Sequence, residues 1–312
     1  MTRVVFLGSP PFAVPALRTL AASPFRPALV VAPPDRPRGR GLRTEPSAIA
    51  QAAAAAGIPV VRSEGAPPSE EIERASGGRP DFLVVVSFGA LLPRSLLERP
   101  TLGPFNLHAS LLPRHRGASP VSAAILAGDP RTGLTVQRMV ERLDAGPILL
   151  QREIPIGDRE TAGELAARLA EIGGPLLVEA LARVLEGRAT FVEQDESKAT
   201  RAPRLERQDG LIDWGRTAVE IDRRVRAMTP WPGAFTRRRG VEWAVLEGRP
   251  EEGAVEDSPG QVLAAGPDGI LVAAGTGSFR IVRLRRAGGR AMSAEEFVRG
   301  SRLAPGASLG PD

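Results

Sequence analysis

The chain has two histidines, His108 and His115, and both fall in one short stretch that also contains Asn106. On a β-strand, the spacing of Asn106 and His108 places both side chains on the same face. An amide group can donate hydrogen bonds to a developing oxyanion, and an imidazole can transfer a proton. Proline and a basic run follow, so the pair is predicted to lie where a strand leaves its sheet, a common place for ligands. The pair therefore predicts a site for acyl chemistry.

A carboxylate would complete this pair, because it can fix the tautomer of a histidine and balance its charge. Asp144 is the best candidate, since it stands in a predicted Gly-Pro turn after an extended segment. An aspartate in such a turn often only caps the backbone, and His108 and Asn106 could equally be packing residues. An alternative is a serine triad in which Ser110 acts as the nucleophile, but no G-x-S-x-G motif surrounds Ser110.

The elements that must position these residues predict a parallel sheet. An apolar strand at 4–7, a helix at 13–22 and a strand at 28–32 follow each other, as in α/β folds. The segment 81–86 is apolar on both faces, which is typical of a central parallel strand. The strand at 104–108 carries the Asn-His pair. Neither a G-x-G-x-x-G fingerprint nor a P-loop motif is present.

The rest of the chain predicts a second, smaller domain. A long helix is expected over 161–186, with a break at 173–175, and an irregular linker over 189–207. Short strands then alternate with Gly/Pro turns, which is typical of a small β-barrel or sandwich. The predicted fold class is α/β, a Rossmann-like, mostly parallel sheet followed by a C-terminal OB-like β-barrel. The predicted domains are 1–188, the linker 189–207, and 208–312.

Composition narrows the class of protein. The 312 residues are 42% hydrophobic and 25% charged, which indicates a soluble globular protein. The absence of cysteine excludes disulfides, thiol nucleophiles and Cys-ligated zinc, and with two histidines no metal site is expected. The first residues lack the long apolar core and cleavage site of a signal peptide, and no apolar run reaches membrane-spanning length, so neither feature is expected. A cytoplasmic location is predicted.

The positive charge of the chain is almost entirely arginine. Net charge is +5, the sequence pI is about 10.9, and Lys198 is the only lysine. The segment 33–43 places four arginines among prolines and glycines, and it predicts an exposed loop. Such a loop is either a solvated linker or a contact for nucleic acid, and arginine suits phosphate. The four residues are Arg36, Arg38, Arg40 and Arg43.

These motifs resemble a known family. Asn-Leu-His at 106–108, Ser-Leu-Leu-Pro at 110–113, Arg-Gly-Ala at 116–118 and Leu-Asp-Ala-Gly at 143–146 are similar to the formyltransferases that use 10-formyltetrahydrofolate. The resemblance implies an oxyanion donor, a proton-handling group and a carboxylate that orients it. It also implies a folate-binding loop in place of a serine nucleophile. The residues so implied are Asn106, His108 and Asp144 for catalysis, and Ser110, Leu111, Leu112 and Pro113 for folate.

Other segments resemble the branch of this family that acts on methionyl initiator tRNA. They occur at 4–15, 194–205, 210–214, 230–234 and 291–303, in the order that the family has them. The resemblance implies formyl transfer to the α-amine of methionyl initiator tRNA for translation initiation, a monomer, and tRNA binding by the domain 208–312. It implies tRNA contacts for Arg36, Arg38, Arg40, Arg43 and Arg204.

Two alternatives stay open at this point. One is an amino-sugar nucleotide formyltransferase, and the other is a non-catalytic RNA-binding protein with a barrel domain. The sequence also departs from the family pattern at three places. Pro11 stands where an acidic residue is common, Ser87-Phe88 replaces a small residue and tyrosine, and Arg204 replaces a lysine.

Overall fold

In the computed structural model, which describes residues 2–9, 11–38, 43–253, 256–301 and 303–310, the chain forms two units. Their segments are Met1–Pro120, Arg131–Pro155 and Ala166–Pro203 for the first, and Val121–Pro130, Ile156–Leu165 and Arg204–Asp312 for the second. Val121–Pro130 and Ile156–Leu165 thus group with the C-terminal part of the chain, although both precede the end of the first unit in the sequence. Most of the predicted linker groups with the first unit.

A seven-stranded sheet organises the first unit. Its strands run in the order β10-β9-β7-β6-β1-β2-β5. The five strands from β5 to β7 are parallel, and β9 and β10 add an antiparallel edge, which confirms the predicted mostly parallel sheet. The strands of this unit are β1 Val4–Gly8, β2 Pro27–Ala32, β3 Arg36–Arg38, β4 Arg43–Glu45, β5 Val60–Arg62, β6 Phe82–Val86, β7 Gly103–His108, β8 Arg116–Gly117, β9 Arg131–Arg138, β10 Ile148–Pro155 and β11 Arg201–Ala202.

The central strands explain why this sheet forms. Every residue of β1 and β6 is buried, as expected for parallel strands whose two faces are both covered. Each large apolar side chain buried this way, such as Phe6 or Phe82, contributes roughly 1.5–3 kcal/mol to folding. The strand order changes direction at β1, which is the kind of position where open α/β sheets bind ligands.

Six helices lie wholly or partly in this unit, and one of them corrects a prediction. The helices are α1 Ala13–Ala21, α2 Ala48–Ala55, α3 Ser69–Ser76, α4 Arg94–Leu97, α5 Pro120–Ala127 and α6 Ala162–Leu185. The break predicted in α6 is wrong, because the helix continues through Pro175. A Cβ on Gly173 would lie 2.6 Å from a Leu107 methyl group, and one on Gly174 would lie 2.4 Å from the Thr19 hydroxyl. The glycines therefore permit close packing of α6, not a break.

The arginine-rich segment differs from its prediction in part. The strands β3 and β4 pair antiparallel, with Arg36 opposite Glu45 and Arg38 opposite Arg43. Prolines and glycines exclude a helix there, but a short two-stranded ribbon tolerates Pro37, since edge strands can lack an amide donor. Arg40 lies outside the described residues.

The second unit contains an antiparallel sheet in the order β12-β13-β16-β15-β14, with β17 added beside β16. This curled sheet confirms the predicted smaller barrel as a half-barrel. Trp214, Phe279 and Ile281 belong to its buried core. The elements are β12 Phe235–Arg238, β13 Val241–Glu251, β14 Val262–Gly266, β15 Gly269–Ala273, β16 Ser278–Arg286, β17 Met292–Ser293, α7 Ala218–Ala227 and α8 Ala294–Gly300.

Capping residues define where α7 and α8 begin. Thr217 and Glu220 form a capping box at α7, and Ser293 and Glu296 form one at α8. The sequence analysis did not predict α8, although the S-x-x-E spacing signals its start. None of the described helices is both long enough and apolar enough to cross a membrane.

Candidate active site

Strands β7 and β9 build one polar face at the antiparallel edge of the sheet. In their register, Asn106 lies opposite Gln137, and His108 lies opposite Thr135. Directly opposite residues in antiparallel strands point to the same face. The expectation that Asn106 and His108 share a face is therefore realised, and β9 adds two more polar side chains to it.

Asn106 and His108 both face the carboxylate of Asp144, and the three residues are here called the polar trio. Asn106 Nδ2 lies 3.4 Å from Asp144 Oδ1. His108 Nδ1 lies 3.6 Å from Asp144 Oδ2. The side chains of His108 and Asp144 are 7% and 8% exposed, whereas Asn106 is only partly buried. The second amide N–H of Asn106 has no hydrogen-bond partner among the described residues.

The tautomer of His108 follows from its second contact. His108 Nε2 lies 2.9 Å from the main-chain oxygen of His115. A carbonyl oxygen can only accept a hydrogen bond, so Nε2 must be the protonated nitrogen. In the neutral ring, Nδ1 then carries the lone pair, on the side that faces Asp144. This arrangement lets Nδ1 take up a proton beside a carboxylate that can stabilise the resulting charge.

Asp144 is held by donors on two sides. Gln137 Nε2 donates to Oδ1 at 3.0 Å, and the Gly117 amide donates to Oδ2 at 2.9 Å. The turn that carries Asp144 is closed by a hydrogen bond from the Ala145 amide to the Arg142 oxygen. Asp144 adopts a left-handed backbone with φ of 51°, which is uncommon for a residue other than glycine. This backbone points the carboxylate inward instead of leaving it as a simple turn cap.

Gly117 has to be glycine for this arrangement. Its φ is 125°, and a Cβ there would lie 2.4 Å from the Ala202 oxygen. The close approach lets β8 pair in parallel with β11. It also brings the Gly117 amide to Asp144. The glycine of the Arg-Gly-Ala motif is thus explained by backbone packing next to the trio.

The Ser-Leu-Leu-Pro loop is braced by the same strands. Ser110 is fully buried, and its hydroxyl donates to the Arg114 oxygen at 2.6 Å. Thr135 Oγ1 donates to the Ser110 oxygen and accepts from the Leu112 amide. Gln151 donates to the Leu112 oxygen. The Ser110 proton is committed to a carbonyl, so the geometry argues against the serine nucleophile and favours a rigid binding loop.

Residues 194–202, here called the 194–202 segment, lie against this site. Gln194 donates to the main-chain oxygens of Asp144 and Gly146 at 2.9 and 2.7 Å. Arg116 Nε donates to Gln194 Oε1 at 3.0 Å, and Arg116 also pairs with Glu196. Hydrogen bonds from Arg116 lower the pKa of the Glu196 carboxyl, and the charges of Arg116 and Arg142 act in the same direction against a smaller opposing effect of burial.

Two buried glutamines, Gln137 and Gln194, were not predicted as site residues. Gln137 is 2% exposed and Gln194 is 9% exposed. Buried polar side chains need hydrogen-bond partners, so a glutamine that follows Leu134 and Val136 in an extended segment was a usable signal. Gln194 gave no such signal, because its neighbours in the sequence are charged and irregular.

The three departures from the family pattern lie apart from the trio's contacts. Phe88 is buried in the core of the first unit, and Ser87 has φ of 51° and an exposed side chain. Pro11 lies in the turn before α1, and Arg204 is exposed at the start of the second unit's last segment. None of these four residues has a hydrogen bond to Asn106, His108 or Asp144. Across the described ranges, no three histidine, aspartate or glutamate side chains form a group that could hold a metal ion.

Comparisons with known proteins cover nearly the whole chain. The family model described as Formyl transferase matches residues 2–181, and the one described as Formyl transferase, C-terminal domain matches residues 204–302. A methionyl-tRNA formyltransferase of Citrifermentans bemidjiense is 42% identical, over 99% of this chain and 96% of its own length. The protein of the same name from Bacillus subtilis is 39% identical, over 99% and 98%.

Two solved structures share the fold. An N-formyltransferase from Helicobacter canadensis, in complex with folinic acid and dTDP-3-aminofucose, has a TM-score of 0.67 at 17% identity, over 90% of this chain and 99% of its own. HypX from Aquifex aeolicus, in complex with tetrahydrofolic acid, has a TM-score of 0.61 at 19% identity, over 95% of this chain and 46% of its own.

Proposed function

Because the chain belongs to the formyl transferase family, we propose that it transfers a formyl group from 10-formyltetrahydrofolate to the α-amino group of methionyl initiator tRNA, for translation initiation. Support for the tRNA substrate comes from relatives that carry this name and align over nearly the full length of both chains. Support for a folate donor comes from neighbours of the same fold that bind folates. The single observation that carries the chemistry is the convergence of Asn106 and His108 on the buried carboxylate of Asp144.

The trio performs the transfer in three roles. The lone pair of the methionyl amine attacks the formyl carbon, and the carbonyl oxygen becomes an oxyanion. The free N–H of Asn106 donates to that oxyanion. His108 takes the amine proton at Nδ1, with Asp144 balancing the charge. The bond between the formyl carbon and N10 of the folate then breaks, N10 takes up the proton that His108 received, and the products are formylated methionyl-tRNA and tetrahydrofolate.

Rigid elements around the trio supply the preorganisation that this chemistry needs. Donors held in place before the reaction stabilise a transition state without reorganising during it. The His115 oxygen fixes the ring of His108, and the Gly117 amide fixes Asp144. The loop residues Ser110, Leu111, Leu112 and Pro113 are the proposed folate-binding segment, and Thr135 braces that loop.

The tRNA is proposed to bind through arginines. Arg36, Arg38, Arg40 and Arg43 are the proposed contacts on and between β3 and β4, with Arg204 near the start of the C-terminal half. The domain 208–312 is proposed to bind tRNA, the domain 1–188 to carry catalysis, and 189–207 to link them. We also propose a monomer in the cytoplasm, where initiator tRNA is charged and used.

A direct assay tests this function. Purified protein, methionyl initiator tRNA and 10-formyltetrahydrofolate should yield formylmethionyl-tRNA, which separates from methionyl-tRNA on an acid-urea gel. A nucleotide-linked amino sugar should give no formylated product under the same conditions. Formylation of the sugar alone would support an amino-sugar nucleotide formyltransferase. No transfer to either amine would overturn the proposal.

A further inference from the structure

The 194–202 segment contacts both loops that complete the polar trio. From these contacts we infer that Gln194 and Thr200 are positioning residues for formyl transfer. Gln194 fixes the turn that carries Asp144, and Thr200 fixes the carbonyl group that holds His108. The inference rests on the proposed function, because it concerns the rate of that reaction. It assigns to part of the predicted linker a role in the chemistry itself.

The amide of Gln194 can have only one orientation. Arg116 offers only donors, so the Gln194 oxygen must face it, where it accepts from Nε at 3.0 Å and Nη2 at 2.7 Å. The Gln194 NH2 group then faces the oxygens of Asp144 and Gly146, at 2.9 and 2.7 Å. A carboxylate would lack the donors, and an ammonium would lack the acceptor. Glutamine therefore satisfies both sides of this contact at once.

A second route runs from Gln194 to the same carboxylate. Gln194 Nε2 lies 3.3 Å from Gln137 Oε1, and Gln137 Nε2 donates to Asp144 Oδ1 at 3.0 Å. The contact with Gln194 turns the Gln137 side-chain oxygen toward Gln194, so the Gln137 NH2 group faces Asp144. Gln194 thus holds the main chain of Asp144 directly and its side chain through Gln137.

Thr200 acts on the other half of the site. Its hydroxyl accepts from the His115 amide at 2.8 Å, and its main-chain oxygen accepts from the Arg116 amide at 2.8 Å. The main-chain oxygen of His115 accepts the hydrogen bond from His108 Nε2. The two strands that continue these contacts, β8 and β11, pair in parallel. Thr200 thus sets the position of the group that selects the tautomer of His108.

Backbone strain explains why such support is needed. Asp144 and His115 have φ values of 51° and 59°, in the left-handed region that residues other than glycine disfavour. Such conformations persist only where the surrounding structure holds them. The 194–202 segment holds both, through Gln194 on one and Thr200 on the other. Loss of either contact should let one loop relax and move its trio member away from productive geometry.

A double-mutant cycle tests Gln194. The proteins are the wild type, Gln194→Ala, Asp144→Asn and the double variant, each assayed for kcat and for KM of both substrates. Since a displacement of about 1 Å in a reacting group can cost roughly 100-fold in rate, Gln194→Ala should lower kcat by roughly 10–100-fold. The KM values should change much less. In the Asp144→Asn background, Gln194→Ala should lower kcat by less than about threefold, because residues in one network are non-additive.

Two further variants make the test decisive. Thr200→Val keeps the shape of the side chain but removes the acceptor, and it should also lower kcat by at least roughly tenfold, because His108 loses its fixed position. Val192→Ala truncates an exposed neighbouring side chain and should leave kcat unchanged. Thermal unfolding identifies any variant that fails to fold, and Thr200→Val then carries the test if Gln194→Ala does not fold.

The outcomes separate this inference from the proposed function. If the wild type does not formylate methionyl-tRNA, the function fails. If the wild type is active but both Gln194→Ala and Thr200→Val behave like Val192→Ala, the positioning role is overturned. Full additivity of Gln194→Ala and Asp144→Asn would also overturn it, since it would mean that Gln194 acts independently of the carboxylate.

Discussion

At the scale of single residues, the division of labour on the Asp144 carboxylate decides the chemistry. Its Oδ1 accepts from Gln137 and Asn106, and its Oδ2 accepts from the Gly117 amide and faces His108 Nδ1. Two of these neighbours are fixed structural donors, and two are groups that can act on a substrate. The carboxylate therefore orients the reacting groups, because the fixed donors hold both of its oxygens in place.

Removal of the Asn106 amide should slow the transfer severely. Loss of one oxyanion donor raises a barrier by ~2.7–4 kcal/mol, which corresponds to roughly 10²–10³-fold in kcat. We expect Asn106→Ala to show this loss in kcat, measured with saturating methionyl-tRNA and 10-formyltetrahydrofolate. Thr190→Ala, a change in the irregular segment before Gln194, serves as the control. Near-normal turnover of Asn106→Ala would remove Asn106 from the mechanism.

At the scale of elements, the β3–β4 ribbon is the first candidate for tRNA contact. The residues between its two strands, 39–42, include Arg40. Arg36 and Arg38 lie on β3 and Arg43 lies on β4. Four arginines within the sequence 36–43 give a dense positive charge, and such charge binds phosphate through release of counterions.

Replacement of Arg38, Arg40 and Arg43 with alanine should weaken tRNA binding and flatten its salt dependence. Each lost phosphate contact should lower the slope of log K against log salt by roughly one. Filter binding at several salt concentrations measures this slope, and formyl transfer to a small amine should survive. The matched control removes the same charge from Arg131, Arg183 and Arg188, which are already paired with glutamates. Equal slopes for the two triple variants would assign the ribbon a role other than tRNA contact.

The pairing of β13 and β16 in the second unit contains a salt bridge that should be visible in pH dependence. Arg280 Nη2 donates to Glu251 Oε2 at 2.9 Å, and the two side chains are 15% and 30% exposed. The hydrogen bond from Arg280 lowers the pKa of Glu251. A carboxyl whose pKa is lowered on folding stabilises the protein above its unfolded pKa, and this stability is lost as pH falls through the folded pKa.

Glu251→Gln should therefore destabilise the second unit at neutral pH but not in acid. We expect a loss of about 1 kcal/mol in the free energy of unfolding at pH 7. The difference from wild type should shrink as the pH falls below about 4. Tryptophan fluorescence reports this unit, because Trp214, Trp231 and Trp243 all belong to it. Glu252→Gln, a change at the exposed neighbouring residue, is the control. A difference in free energy of unfolding between Glu251→Gln and wild type that did not change with pH would contradict a role for the lowered pKa of Glu251.

At the scale of the whole molecule, the positive charge is shared between the two halves of the chain. In the second unit, Arg283, Arg285 and Arg286 are exposed along β16, and no described carboxylate lies within 4 Å of them. Strand β17, which pairs with β16, leads into α8. A polyanion that spans many phosphates gains from such separate patches of charge, because each contact adds to the affinity.

Replacement of Arg283, Arg285 and Arg286 with glutamine should raise the KM for methionyl-tRNA and lower its salt dependence. The kcat at saturating tRNA should stay within about twofold, because these residues add uniform binding and no interaction specific to the transition state. Steady-state assays at low and high salt measure both quantities. A fall in kcat with KM unchanged would contradict a binding role.

The sequence by itself determined which residue types were present and which elements carried them. Buried strands such as β1 and β6 were predictable because continuous apolar runs have few other stable arrangements. The same-face placement of Asn106 and His108 followed from the two-residue period of a strand. Asp144 was a candidate from its residue type and its place in a turn after an extended segment, and the family resemblance supported its role.

Only the tertiary structure decided how these residues meet. The strand register sets Gln137 opposite Asn106. Backbone conformation produces the left-handed turn at Asp144 and brings the His115 carbonyl to His108 Nε2. The 194–202 segment shows the reason. Its polar, irregular sequence carries no period from which packing can be predicted. Hydrogen bonds to residues 50 and 78 positions away nevertheless make Gln194 part of the site, and these contacts exist only in the folded chain.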